Sequence, residues 1–155
     1  MTELAGVLTG QIALISGAAR GVGLACARRI AQLGAHVVLT DVDAAAGAES
    51  ARQLDADGLR ATFAPLDVSD VAAIRARVTD VVSTHGRIDV LVNNAGIALY
   101  DDLSDRVALD LHLAVNLFGA YAVTRAFLAL LVQSRGAIVN NVSLMAFAPV
   151  PVWPA

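Results

Sequence analysis

A doubly wound α/β fold, a parallel sheet with helices on both faces, is predicted from three observations. Short apolar strand patterns alternate with helical ones along the whole chain, and the first strand runs directly into a glycine-rich turn and a helix start. The second strand ends in Asp41, twenty residues beyond Gly21. Parallel neighbours need crossovers, and crossover helices cover both faces of the sheet. At 155 residues the chain has the size of one domain with a substantial core.

The first element is Ile12-Ala13-Leu14-Ile15, a buried-strand pattern that enters a turn with glycines at 17, 21 and 23. Leu24-Ala25-Cys26-Ala27-Arg28-Arg29-Ile30 follows with helical spacing, and Gly34 is placed to stop that helix near Leu33. A glycine turn at a helix start presents backbone N–H groups and the positive dipole end to a phosphate, so this loop predicts a pyrophosphate cradle. Ala35-His36-Val37-Val38-Leu39-Thr40 is the second strand. A carboxylate at its tip, here Asp41, accepts hydrogen bonds from an adenosine ribose and repels a 2′-phosphate, which favours NAD over NADP. Arg20 in the loop is a cation within reach of the same place, so NADP stays open, and an N-cap role for Asp41 is the alternative reading.

Residues 44–56 form an alanine-rich helix closed by Asp57-Gly58, and 60–66 a third strand followed by Asp67-Val68. A helix over 70–84 takes Ser69 or Asp70 as its cap and stops at Gly86. Ile88-Asp89-Val90-Leu91-Val92 is the fourth strand, running into Asn93-Asn94-Ala95-Gly96, small and amide residues where a strand's carboxyl end meets a ligand. Residues 103–134 read as one long helix, mildly broken at Gly119, and 136–143 as the fifth strand; the proline-bearing tail from 144 is read as irregular.

Composition removes several classes. The net charge is −3 and the basic residues are scattered, so there is no electrostatic footprint for nucleic acid. Residues 114–132 carry one charge, Arg125, together with Asn116 and Thr124, which predicts a helix buried in a core or a subunit contact rather than a membrane span. The single cysteine, Cys26, cannot form an intramolecular disulfide and is expected to be buried and inert. No basic residue precedes Arg20, so the start lacks a signal peptide's charged region and the cytoplasm is the expected compartment. The three histidines are far apart and predict no metal site, and Asp101-Asp102 reads as a solvated loop.

Taken together, these residues resemble the short-chain dehydrogenase/reductase family along the whole chain. Ser16-Gly17-Ala18-Ala19-Arg20-Gly21-Val22-Gly23 is similar to that family's cofactor loop, with serine in the threonine position. Asp67-Val68 resembles its adenine-side pair, Asn93-Asn94-Ala95-Gly96 its strand-end motif, Asn116 its helix asparagine and Ser143 its catalytic serine. The resemblance implies a Rossmann-type, three-layer α/β/α domain with strand order 3-2-1-4-5, and hydride transfer between NAD(H) and an alcohol or carbonyl. It also implies that Ser143 bonds the substrate oxygen, that Asn116 holds a water in the proton relay, and that Ser16, Gly17, Arg20, Gly21, Val22, Gly23, Asp41, Asp67, Val68, Asn93, Ala95 and Gly96 bind the cofactor.

The family's proton-transfer tyrosine, counted from Ser143, falls just past Ala155, and its lysine partner has no counterpart because all eleven basic residues are arginine. A phenol is mostly protonated at neutral pH without a nearby cation, and Tyr100 and Tyr121 are both read as packing or surface residues. The 155 residues are therefore expected to be inactive alone, as the first portion of a longer enzyme or a shortened product. Without the helix that follows the fifth strand in the family, residues 137–142 would be an exposed apolar edge and the long helix would show an open face. Self-association through that helix is the expectation, and a nucleotide-binding module or pseudoenzyme is the alternative function.

Overall fold

The computed structural model describes residues 6–99 and 106–143. The readings made for Tyr100, Asp101-Asp102 and the tail from 144 lie outside the described residues. The elements follow in the order β1 (Ile12–Ser16), α1 (Gly21–Gln32), β2 (His36–Asp41), α2 (Ala44–Ala56), β3 (Ala61–Pro65), α3 (Val71–His85) and β4 (Val90–Asn93). A continuous helical rod then comprises α4 (Arg106–His112), a π-helical stretch (Leu113–Gly119) and α5 (Ala120–Ser134), and β5 (Ala137–Asn140) follows.

All five strands are parallel, in the order β3-β2-β1-β4-β5. The registers set Ser16 beside Thr40 and Asn93 beside Asn140, so the carboxyl ends of the central strands form one rim. Strand alternation divides the core between the two faces. Ala13, Ile15, Val37 and Leu39 face α1 and α2 through Ala27, Ala31 and Leu54, whereas Leu14, Val38 and Leu91 face α3 and α5 through Ile74, Val81, Val123, Phe127 and Leu131. Removing this apolar area from water is the main stabilising term.

The helix ends explain where the chain turns. Asp43 caps α2 by accepting from the Ala46 N–H at 3.0 Å, and Asp70 caps α3 by accepting from Ala72 and Ala73. The cap of α2 is thus Asp43 rather than Asp41, whose carboxylate is used elsewhere. Gly86 ends α3 with φ +68°, a left-handed conformation that glycine adopts without strain. Cys26, expected to be buried, is only half-buried on α1.

The rod of residues 106–134 is long and apolar enough to cross a membrane by composition, its most apolar 18-residue window having a mean hydropathy of 1.7. In the fold its stripe of Val123, Phe127 and Leu131 is buried against the sheet. Gly119 is not a break: a Cβ there would lie 2.7 Å from Val68 Cγ2, so the glycine permits close packing on the segment after β3. β5 is exposed along its whole length, with Ile138, Val139 and Val142 exposed apolar residues there; Leu117, Phe118, Tyr121, Leu128 and Val132 are exposed apolar residues of the rod.

Candidate functional site

The glycine turn, the end of β2, the segment after β3 and the Asn93-Asn94-Ala95-Gly96 stretch meet at the carboxyl rim around an open cleft of about 640 Å³. Gly17, Arg20, Asp41, Asp67, Val68, Ala95 and Gly96 line it, so seven of the residues singled out from sequence come together there. This is where a doubly wound sheet presents a crevice, because crossovers leave β1 in opposite directions on its two sides.

Two of the loop's glycines let the turn, α1 and the segment after β4 pack closely together. Gly17 has φ +64°, and a Cβ on it would lie 2.8 Å from Ala95 Cα. Gly23 is buried, and a Cβ there would fall within 2.5 Å of Asn94 Nδ2 and closer still to the Gly17 carbonyl oxygen. α1 has no side-chain cap, unlike α2 and α3, and no acidic residue stands in its first turn. Its leading N–H groups and positive dipole end therefore remain available to an anion at the loop. Gly21 and Val22 are exposed at this helix start.

Asp41 organises the other side of the cleft. Its Oδ2 accepts from Ala19 N–H at 3.0 Å and its Oδ1 from Asp43 N–H at 3.0 Å, which fixes the carboxylate while leaving lone pairs for further donors. Arg20 forms an ion pair with Asp43 rather than with Asp41. Ser50 adds a tie from α2, donating to Ala19 O at 2.8 Å.

Ser16 and Asn93 are placed differently from the other loop and rim residues. Ser16 is buried, and its Oγ accepts from Asn94 and Ala95 N–H at 3.0 Å each, a hydroxyl tie between β1 and the end of β4. Asn93 is buried beneath the rim, donating from Nδ2 to Thr124 Oγ1 at 2.8 Å and Asn140 Oδ1 at 2.9 Å. Both support the cleft from below rather than line it.

The residue that sequence reasoning passed over is Asn94. It lines the cleft, and its Nδ2 donates to Ser16 O at 3.0 Å and Gly17 O at 2.9 Å, holding the glycine turn from the β4 side. Its adjacency to two glycine-loop carbonyls is a tertiary relation, and only its place in the strand-end motif marked it.

A second pocket of about 360 Å³ adjoins the cleft and is lined by Gly96, Ile97, Asn116, Asn141 and Ser143. Asn116 and Ser143, the two catalytic candidates, are thus brought to one place. Asn116 sits in the π-helical stretch and clamps Ile97 from both sides, accepting from its N–H at 2.8 Å and donating to its carbonyl at 3.0 Å. One turn earlier, buried His112 accepts from Leu99 N–H at Nε2, 2.9 Å, while Nδ1 lies 2.9 Å from Ala108 O. In that pairing Nε2 is the acceptor and Nδ1 the donor. The rod thus holds the chain beyond the rim through two side chains, and a π turn at a functional site is a recurrent association.

The histidines whose acidity is perturbed lie at the opposite, amino end of the sheet. The rings of His36 and His85 meet at a 53° tilt with centroids 4.7 Å apart, and His36 Nε2 is 3.0 Å from Thr62 Oγ1. Burial, then the neighbouring His85 and Arg60, hold His36 below its ordinary value, and burial does the same for His85.

The comparisons with known proteins agree with this geometry. Residues 11–155 match the family model described as short chain dehydrogenase. Oxidoreductase UcpA of Salmonella typhimurium is 38% identical over 132 residues, 84% of this chain and 50% of that protein. Carbonyl reductase (NADPH) 1 of Homo sapiens is 36% identical over 138 residues, 87% of this chain and 50% of that protein. The chain therefore spans about half the length of these relatives. The crystal structure of a metagenomic short-chain oxidoreductase in complex with NADP superimposes with a TM-score of 0.89 at 38% identity, covering 95% of this chain and 68% of that one. A parallel 3-2-1-4-5 sheet with a glycine-lined crevice at its rim, and a family match running to the last residue, make this chain a member of the short-chain dehydrogenase family.

Proposed function

We propose that the chain is a single NAD-binding Rossmann domain, residues 1–155, of an oxidoreductase that transfers hydride between NAD(H) and an alcohol or carbonyl substrate. The observation that carries this reading is the adjacency of the glycine-lined cleft to the pocket shared by Asn116 and Ser143. The nicotinamide, when bound, supplies the hydride chemistry. The uncapped start of α1 and the turn at Gly17 suit a pyrophosphate, Asp41 suits the adenosine ribose, and Asp67 and Val68 suit the adenine side. Ser143 is assigned a hydrogen bond to the substrate oxygen. Asn116 retains one N–H and a lone pair beyond its clamp on Ile97, and these are assigned to a relay water.

NAD is preferred over NADP on two grounds. A 2′-phosphate would sit against the Asp41 carboxylate, and the one loop cation, Arg20, is already paired with Asp43. Calorimetric titration with both nucleotides tests this: NAD should bind and NADP should bind more weakly, and tighter NADP binding refutes the role given to Asp41. By itself the 155-residue chain should not turn over, since proton transfer in this family needs a tyrosine with a lysine beside it and the chain contains no lysine. NADH-linked oxidation of a secondary alcohol that vanishes in Ser143→Ala refutes that statement.

A second reading is favoured by the open β5 edge and the apolar face of the rod, both described above: a nucleotide-binding module or pseudoenzyme that associates with itself or a partner. Self-association through residues 106–134 in the cytoplasm is the proposed form. Light scattering tests that form, because a strictly monomeric species at micromolar concentration removes self-association.

A further inference from the structure

Asn94 is held in one orientation by its surroundings. Its Nδ2 donates to two carbonyls of the glycine turn, Ser16 O and Gly17 O, so its Oδ1 must point the other way, toward β5. There it accepts from Asn141 Nδ2 at 2.8 Å. Asn141 is the first residue past β5, two before Ser143, and its own N–H donates to Asn93 O at 2.9 Å. One asparagine pair therefore runs from the turn that cradles the proposed nucleotide to the short segment that carries the proposed catalytic serine. Beneath it, Asn93 Nδ2 and Asn140 Oδ1 make a parallel tie at 2.9 Å.

The lower tie joins two strand ends that the sheet ladder already holds together, where Asn93 and Asn140 are register partners. The upper tie joins residues one step beyond the paired strand ends, where the backbone bond from Asn141 N–H to Asn93 O is the last between them. Hydrogen bonds in such a chain orient one another, because the donor of one amide fixes where the acceptor of the same amide points. A shift of the Gly17 carbonyl thus bears on the orientation of Asn94, and through it on Asn141.

We propose that Asn141 is a positioning residue that couples the nucleotide loop to Ser143 through Asn94, so that a dinucleotide seated on the loop orders the serine-bearing segment. The coupling rests on the functional reading above, whereas the tie itself does not. Asn141→Ala removes the donor, and Asn141→Asp replaces it with an acceptor of the same shape facing Asn94 Oδ1.

The test is amide hydrogen exchange on the 155-residue chain and both variants, without nucleotide and with saturating NAD. Without nucleotide, both variants should speed exchange at Asn94 and Ala95, whose amides donate to Ser16 Oγ, by about fivefold, the worth of one net hydrogen bond. With NAD, exchange at 141–143 should slow in the parent chain and stay unchanged in the variants, although they still bind NAD. Faster exchange confined to Asn141 and its neighbours, with Asn94 and Ala95 unmoved, overturns the tie. NAD-induced protection of 141–143 that persists in both variants overturns the coupling. A parent chain that binds neither NAD nor NADP defeats the functional reading and the coupling with it, while the nucleotide-free arm still decides the tie.

Discussion

Replacing Gly23 by alanine puts the loop geometry to a quantitative test. The new Cβ would lie 2.5 Å from Asn94 Nδ2 and 2.9 Å from the Gly17 carbonyl carbon, with the Gly17 oxygen nearer still. Ordinary Cβ contacts begin at about 3.4 Å, so the turn and Asn94 must separate from α1 by roughly an ångström. That movement costs about 1–3 kcal/mol of overpacking and weakens the two bonds from Asn94 Nδ2, each worth about 1 kcal/mol. A loss near 3 kcal/mol is a large share of a stability of about 5–15 kcal/mol for a domain. Gly21 is the internal control: it has φ +58° with nothing within 4 Å of its would-be Cβ. Gly21→Ala should cost only the left-handed backbone term, about 1–2 kcal/mol. Urea unfolding followed by circular dichroism gives both differences, and NAD calorimetry should show at least about a tenfold affinity loss for Gly23→Ala, equivalent to 1.4 kcal/mol. Equal stability losses for the two variants, or a Gly23→Ala chain that binds NAD as the parent does, would refute the steric argument.

Three further outcomes follow from features already described. Asp43→Asn should raise NADP affinity relative to NAD by up to about fivefold, because it frees Arg20 from an exposed ion pair worth at most about 1 kcal/mol; asparagine still caps α2, so helix content should not change, and an unaltered ratio counts against the pairing. His36 and His85 have folded-state pKa values below their unfolded ones, so the unfolded chain binds more protons. Stability is therefore full above about pH 6.5 and falls as the pH drops below it. Unfolding free energies at pH 7.5 and pH 5 should differ in the parent chain and converge in His36→Gln/His85→Gln, with the Glu49 carboxylate titrating below this window. Phe127→Ala, at a fully buried position, should cost about 3–5 kcal/mol by thermal or urea unfolding, and a loss under about 1 kcal/mol would contradict its central place in the α5 face.

The extent to which these features could be read in advance varied with their physical range. The helix over 44–56 is found with the bounds its composition suggests, since the Asp43 cap and the Asp57-Gly58 turn are local signals. The strand order was implied by the family resemblance, and Gly17, Arg20, Asp41, Asp67, Val68, Ala95 and Gly96, marked by the motifs that carry it, converge on one cleft. What local pattern could not convey was direction. Ser16 and Asn93 sit in binding motifs yet point inward, because strand alternation and the depth of the rim decide their orientation. Asn94, their neighbour, lines the cleft instead, its amide tied between the glycine turn and Asn141. Gly119 reads as a helix break, whereas the backbone accommodates it at the end of a π-helical stretch by packing against Val68.

That stretch gives the rod two independently set phases. Wider turns advance the chain by a smaller angle per residue, so residues before 113 and after 119 are offset from the single stripe a regular helix would carry. The later half is phased to bury Val123, Phe127 and Leu131, and the earlier half to aim His112 and Asn116 at the chain beyond the rim. Deleting one residue between them would convert the offset into a regular helix and force a choice between core and rim. The length of this segment is therefore as constrained as its residue identities, and a substitution scan alone would miss that constraint.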